Sequence, residues 1–328
     1  MILVTGAAGF IGFHLVKKLI EKKYDVVAVD NLNDFYDLSL KESRLRILGL
    51  DIDNISKLNK INENLFFYKI DLIDNKSLNK IFKNHKISIV FHLASHAGVK
   101  SSTNFPKIYL DNNIISFNNL IENSRIFKIK KFIYASSSSV YPNNNKIYPL
   151  KENLVCNKFK SVYAASKISN EIVANTYSKI FKINTIGLRF FSVYGPLGRP
   201  DMSYFIFFKS LYHNKQINLY NSGEIYRDFT FIDDVIKFCL KLINSENKFS
   251  IYNVGNNKPV LILDFLKKIE SITGIKPKVQ MLEKNREDNY ASYANIDRAK
   301  LDFNYNPKWN IEQGLINFNN WFKNFYKF

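Results

Sequence analysis

Tyr163 and Lys167 stand four residues apart in Tyr-Ala-Ala-Ser-Lys, a spacing that places a phenol and an ammonium on one helical face. A cation beside a phenol lowers its pKa, so Tyr163 can take a proton from a hydroxyl near neutral pH, with Lys167 in support. Many solvated helix faces carry the same spacing. It gains weight from Ser136-Ser137-Ser138-Ser139, which ends the fifth predicted strand shortly upstream. Ligands of open parallel sheets bind at the carboxyl ends of strands, and a serine there can share a substrate proton with Tyr163. The plainer alternative for the serines is a polar loop bonding to its own backbone.

A second constellation opens the chain. Thr5-Gly6-Ala-Ala-Gly9-Phe-Ile-Gly12 follows an apolar strand and leads into a helix. In such a turn Gly6 permits the bend, Gly9 lets backbone approach a pyrophosphate, and Gly12 allows close helix packing. The helix start then offers N–H groups and positive partial charge to phosphate. Asp30 ends the second strand, where its carboxylate can accept from an adenosine ribose diol and repel a 2′-phosphate; NAD is therefore favoured over NADP. Asp71-Leu72, after the third predicted strand, would face the adenine. A glycine turn with no ligand is the alternative, and the carboxylate in register argues against it.

Placing these groups requires alternating elements. Apolar, β-branched runs predict strands at Ile2–Val4, Asp25–Val29, Leu65–Lys69, Ile89–Leu93, Phe132–Ala135 and Thr185–Arg189. Helical periodicity covers Gly12–Lys22, Asn75–Asn84, Ser116–Ser124 and Tyr163–Phe181. The expected fold class is α/β: a Rossmann-type doubly wound parallel sheet with a smaller, mixed α/β C-terminal substrate domain. The cofactor domain is expected over 1–184 with a return segment near 228–255, and 185–328 is expected to be mostly substrate-binding.

Composition narrows the class. The net charge of +18 comes from lysines spread along the whole chain, a compositional bias and not a binding stripe, so nucleic acid is not an expected partner. No apolar run is long enough to cross a bilayer and no leader is evident, so a cytoplasmic location without membrane association is expected. Cys156 and Cys239 lie far apart without CxxC spacing, and the five histidines show no ligand spacing; no metal is expected. His92 reads as a packed core histidine, whereas His96 adjoins the expected pocket.

Together with His92-Leu93-Ala94, these motifs resemble the extended short-chain dehydrogenase/reductase superfamily across nearly the whole chain. Within it the chain is similar to the UDP-glucuronate 4-epimerase branch. The similarity is carried by Asp30-Asn-Leu-Asn-Asp-Phe-Tyr36, Ala94-Ser-His-Ala-Gly98, Arg189-Phe-Phe-Ser-Val-Tyr-Gly-Pro196, Gly198-Arg-Pro-Asp-Met202 and Arg227-Asp-Phe-Thr-Phe-Ile-Asp-Asp234. The resemblance implies Ser137 and Tyr163 as catalytic pair with Lys167. It implies cofactor contacts from Phe10, Ile11, Asn31, Leu93, Ala94, Ser95, Asn113, Tyr163, Lys167, Tyr194 and Pro196, with Lys167 also able to hold the nicotinamide ribose. Ser137, Ser138 and Ser139 would line the sugar site, and Arg199 would grip a substrate carboxylate with Ser192 beside it. Arg227 and Arg286 would neutralise the diphosphate. It also implies a homodimer through two long helices. The chain departs from the branch at His96, Pro142, Phe13 and Asn285-Arg-Glu-Asp288, which bears on substrate choice more than on redox chemistry.

Related dehydratases carry an Asp-Glu pair just after the catalytic hydroxyl. Here those positions are Ser138 and Ser139, so elimination lacks its acid and base. What remains is 4-epimerisation of a UDP-sugar, UDP-glucuronate to UDP-galacturonate, through a 4-keto intermediate. The alternatives are a 4-epimerase or 4-dehydrogenase for UDP-glucose or a UDP-N-acetylhexosamine, and an NAD-binding module without catalysis.

Overall fold

Strand β1 (Ile2–Thr5) is buried along its whole length, as a strand covered on both faces must be. The computed structural model describes residues 1–142, 148–246, 248–283 and 291–328. After β1 come α1 (Phe10–Glu21), β2 (Val26–Asp30), α2 (Leu38–Ile47), β3 (Leu58–Asn62), β4 (Leu65–Lys69) and α3 (Asn75–Asn84). They are followed by β5 (Ile89–His92), α4 (Val99–Asn104), α5 (Pro106–Leu110), α6 (Ser116–Ile126), β6 (Lys131–Ser137), α7 (Val162–Phe181) and β7 (Asn184–Phe190). The later elements are β8 (Ser192–Tyr194), α8 (Ser203–Tyr212), β9 (Gln216–Tyr220), β10 (Tyr226–Phe231), α9 (Ile232–Leu242) and β11 (Ser250–Val254). The last are β12 (Pro259–Leu261), α10 (Ile262–Thr273), β13 (Lys278–Leu282), β14 (Ala291–Ser292), α11 (Asp297–Phe303) and α12 (Ile311–Tyr326).

Among the described residues, eight strands form one sheet in the order β11-β7-β6-β5-β1-β2-β4-β3. Its centre is parallel and in register, with Ile2 opposite both Val26 and Ile89, Val26 opposite Leu65, and Ile89 opposite Lys131. The order reverses at β1, the switch point where a doubly wound sheet opens a crevice. All six predicted strands and all four predicted helices form, each within two residues of the expected ends. Two sheet strands were not among the predicted runs, although the second lies within the return segment expected near 228–255. β3 adds antiparallel to β4, and its exposed or half-buried Leu-Asn-Lys-Ile-Asn reads as an edge rather than a core run. β11 returns late in the chain beside β7. The serine run accordingly closes the sixth strand in chain order, not the fifth.

The chain divides into two compact units. The first comprises Met1–Pro142, Val155–Arg189 and Ile236–Tyr252; the second comprises Phe190–Val235, Asn253–Phe328 and a short stretch ending at Leu154. In the first, Leu3, Val27, Val29, Val90, Phe132 and Tyr134 pack with Leu78, Ile81 and Phe82 of α3 and with Phe117, Leu120 and Ile121 of α6. The alternate strand residues Ile2, Val4, Val26 and Ala28 are equally buried on the α1 side, where Leu15, Val16 and Leu19 are inaccessible. Each such side chain contributes about 1.5–3 kcal/mol relative to exposure. Lys131, at the start of β6, is buried and donates to the carbonyls of Leu242 (2.6 Å) and Ile243 (2.7 Å), closing the C-terminal end of α9.

In the second unit β10 is flanked by β12 and β14 and also pairs with β8, while β9 and β13 form a parallel pair. An aromatic cluster of Phe205, Phe208, Phe318 and Phe322 joins α8 to α12. Buried Asp228 accepts backbone N–H groups of Asn256, Asn257 and Ala294 at 2.6–3.0 Å. Burial pushes its carboxyl up to about 6.

Candidate active site

The β1–α1 turn is pressed against the end of β5. Gly6 has φ of 71°, and a Cβ there would lie 2.6 Å from the backbone nitrogen of Ala94. A Cβ on Gly12 would lie 2.0 Å from the Gly6 carbonyl, so both positions exclude any side chain. Helix α1 begins at Gly9 with no side-chain cap, leaving its first-turn N–H groups to be met from outside the helix. Phe10 and Ile11 belong to this first turn, Phe10 buried and Ile11 half-buried.

An open cleft lies over the turn. Gly6, Gly9, Asp30, Asn31, Asp71, Leu72, Leu93, Ala94 and Ser95 line it, all of them residues expected from the sequence. Asp30 is held in place by the N–H groups of Ala8 (3.0 Å) and Leu32 (2.9 Å). Asn31 donates to Asp71 at 2.9 Å, so the two form one polar wall. A glycine cradle, an uncapped helix start and a carboxylate wall suit a dinucleotide's phosphates and ribose.

Sequence reasoning missed part of this wall. Lys41 also lines the cleft, with its Nζ 3.7 Å from Asp30 and 2.8 Å from both the Asn33 carbonyl and side chain. Burial holds its ammonium below the usual lysine range, and Asp30 opposes that shift. Arg44 is inaccessible to solvent and donates to the Ala8 carbonyl (2.7 Å) and the Tyr36 hydroxyl (2.6 Å). A signal existed: Leu40, Lys41, Arg44 and Leu45 share the buried face of α2, so two of its four inward positions are charged.

Asn113 sits within a π-helical turn, Asp111–Ile115, between α5 and α6. It is fully buried: its Oδ1 accepts the His96 N–H at 2.8 Å, and its Nδ2 donates to the His96 carbonyl and to Ser166 Oγ. Its amide thus ties the loop after β5 to α7, and it is Asn112 and Ser116 that line the cleft. His96 lines it too, with its ring edge-on to Phe35 and Tyr109.

Tyr163 follows the start of α7, which Ser161 caps by accepting the Ala164 N–H at 3.1 Å. Its ring meets Tyr109 edge-on at 6.2 Å, and the Lys167 Nζ is 5.9 Å from its centre. Lys167 is buried and donates to the Ala135 carbonyl at 2.9 Å, two residues before Ser137. Ser137 ends β6 and accepts the Ser139 N–H at 3.1 Å, opening a short 3-10 turn over Ser138–Val140. The helix therefore docks the Lys167 ammonium, one turn from the Tyr163 phenol, at the strand end that carries the serines. His92, behind them, shares a 2.8 Å hydrogen bond with Thr5 Oγ1. Burial, helped by the Lys167 charge, drives its pKa down to about 3, so this imidazole is neutral.

The sequence profile of the NAD dependent epimerase/dehydratase family matches residues 2–255. The chain belongs to this family. Membership brings NAD as the cofactor of this epimerase/dehydratase chain, in keeping with the cradle. A UDP-glucuronate 4-epimerase of Thermodesulfobacterium geofontis is 38% identical over 322 residues, covering 98% of this chain and 95% of that protein. A solved structure of UDP-glucuronic acid 4-epimerase from Bacillus cereus, in complex with UDP-glucuronic acid and NAD, superposes with a TM-score of 0.90 at 31% identity, covering 99% of each chain. UDP-glucose 4-epimerase from Thermotoga maritima, with UDP-glucose, reaches 0.87 at 28% identity and the same coverage.

The remaining expected residues of this family member lie on the second unit. Ser192 pairs in register with Phe229 through β8 and β10, and is half-buried. The Tyr194 hydroxyl donates to the Asn310 carbonyl at 3.4 Å, and the ring packs among Tyr204, Phe229 and Phe231. That side chain serves the interior of its own unit. Pro196 is half-buried. Arg199 makes a bidentate pair with Asp201 through Nε (3.0 Å) and Nη2 (2.5 Å). Arg227 donates to the Tyr226 carbonyl at 3.0 Å. Arg286 lies outside the described residues.

Proposed function

We propose that this chain is a UDP-glucuronate 4-epimerase, interconverting UDP-glucuronate and UDP-galacturonate through a 4-keto sugar. The observation that carries the reading is Lys167, one turn beyond Tyr163 on α7 and bound to the β6 carbonyl two residues before Ser137, in a unit that also bears the dinucleotide cradle. The absence of a carboxyl at Ser138 and Ser139 favours epimerisation over elimination. NAD, when bound, supplies the hydride acceptor and donor. The chain's own work is proton handling and grip. Lys167 favours the phenolate of Tyr163, which takes the proton of the sugar 4-hydroxyl and later returns it; Ser137 shares that proton.

The second unit is assigned the nucleotide sugar. Arg199 exchanges Asp201 for the hexuronate carboxylate, Ser192 supports that contact, and Arg227 with Arg286 offsets the diphosphate charge. A homodimer through α7 and the α4–α6 segment is supported by large apolar side chains left exposed there: Phe105, Ile172 and Ile180 are each more than 60% accessible. Sparse cysteine usage, Cys156 and Cys239 in the whole chain, and a nucleotide cofactor favour the cytoplasm, and the product fits polysaccharide biosynthesis. Among the described residues no helix is long and apolar enough to cross a membrane.

The test is direct. Purified protein receives UDP-glucuronate without added NAD, and the sugar protons are followed by NMR. New galacturonate signals are expected. Their absence, with NAD verified as bound, ends the reading; turnover of UDP-glucose or UDP-N-acetylglucosamine instead would move the chain to a neutral-sugar epimerase.

A further inference from the structure

Helix α7 continues to serve the strand end beyond Lys167. Glu171 follows four residues later on the same face and is 3% exposed. Its Oε1 accepts a 2.5 Å hydrogen bond from Ser136 Oγ. Arg189, near the end of β7 and equally buried, donates to Oε1 through Nε at 2.9 Å and to Oε2 through Nη2 at 2.7 Å. Its guanidinium also lies 4.8 Å from the centre of the Tyr141 ring. Successive turns of α7 thus hold successive residues of β6. Lys167 takes the Ala135 carbonyl, Glu171 takes the Ser136 hydroxyl, and Ser137 comes next along the strand.

Stability alone is a poor explanation for a buried ion pair, because apolar side chains of similar volume often serve a fold as well or better. A bidentate, charge-assisted pair does supply one defined geometry. We propose that Glu171, anchored by Arg189, is a positioning residue for the reaction. Through Ser136 it fixes the end of β6 against α7 and so sets the spacing between the Ser137 hydroxyl and the Tyr163–Lys167 pair. This rests on the reading of Tyr163 as the acid–base group.

Two variants test it, with Tyr163→Phe run alongside. The double variant Glu171→Met/Arg189→Met replaces the pair by unbranched apolar side chains, and Ser136→Ala removes one hydroxyl. Both are expected to keep a near-native melting temperature and, by calorimetry, unchanged affinity for NAD. For the double variant kcat should fall about a hundredfold, the scale of a misplacement near 1 Å, with KM for UDP-glucuronate unchanged. For Ser136→Ala the fall should be about tenfold. In both, the isotope effect with substrate deuterated at carbon 4 should rise as transfer becomes the slow step. Wild-type kcat in a folded double variant, or in Ser136→Ala, overturns the proposal. Should the double variant not fold, Ser136→Ala decides through kcat and the isotope effect. Full turnover by Tyr163→Phe would instead defeat the acid–base reading, a separate failure.

Discussion

In the first unit the charges near the strand ends are buried and bound to fixed partners: Lys167 to the Ala135 carbonyl, Asp30 to two backbone N–H groups, Glu171 to Arg189. In the second, Arg199 is partly exposed and holds Asp201, itself more exposed and only two residues away. A fixed partner preserves geometry through a catalytic cycle. A neighbouring carboxylate can be traded for a ligand's carboxylate at little electrostatic loss, since exposed pairs are worth only about 0–1 kcal/mol. On the proposed function, the contrast is one between preset chemistry and adaptable recognition.

The sharpest way to break that contrast is Tyr163→Phe. It should lower kcat about a thousandfold while NAD affinity, read by calorimetry, stays the same. Loss of cofactor binding in step with activity would make Tyr163 part of recognition instead. Next in size, Arg199→Met should raise KM for UDP-glucuronate about thirtyfold and leave binding of UDP-glucose within about twofold. Equal losses on both sugars would remove the carboxylate contact.

The smallest effect concerns His92, a group fixed in the first unit. Its folded pKa of about 3 lies below its unfolded value, so the unfolded chain takes up a proton that the folded chain refuses. Stability should therefore be lost as pH falls below about 6.5, by roughly 2 kcal/mol at pH 5 from this residue. In His92→Leu that part of the pH dependence should vanish. Denaturant melts at pH 7.5 and 5 that show the same slope in both proteins would contradict it.

Legibility followed the same division. The strands of the parallel centre were readable because both faces are buried and the runs are plainly apolar, as in Val26–Asp30. β3 was not, because an edge strand with half its side chains in water has no such signature. The glycine cradle, Asp30, the serines and Y-x-x-x-K could be read because their spacing is fixed by local geometry. Lys41, Arg44, Glu171 and Arg189 act through partners outside their own helix or strand, and a charged residue in a lysine-rich chain reads first as a solvated one. Asn113 was placed near the site, but its grip on His96 depends on a π-helical turn that no periodicity announces.

Lys131 has a consequence for how the protein is made. The carbonyls that receive its ammonium belong to residues 111 and 112 positions further along. While the nascent chain emerges, β6 is complete long before those acceptors exist, and a lysine cannot enter a dry interior alone. Until α9 has been synthesised the Lys131 ammonium keeps its water, and the burial of this one side chain waits on the later part of the chain.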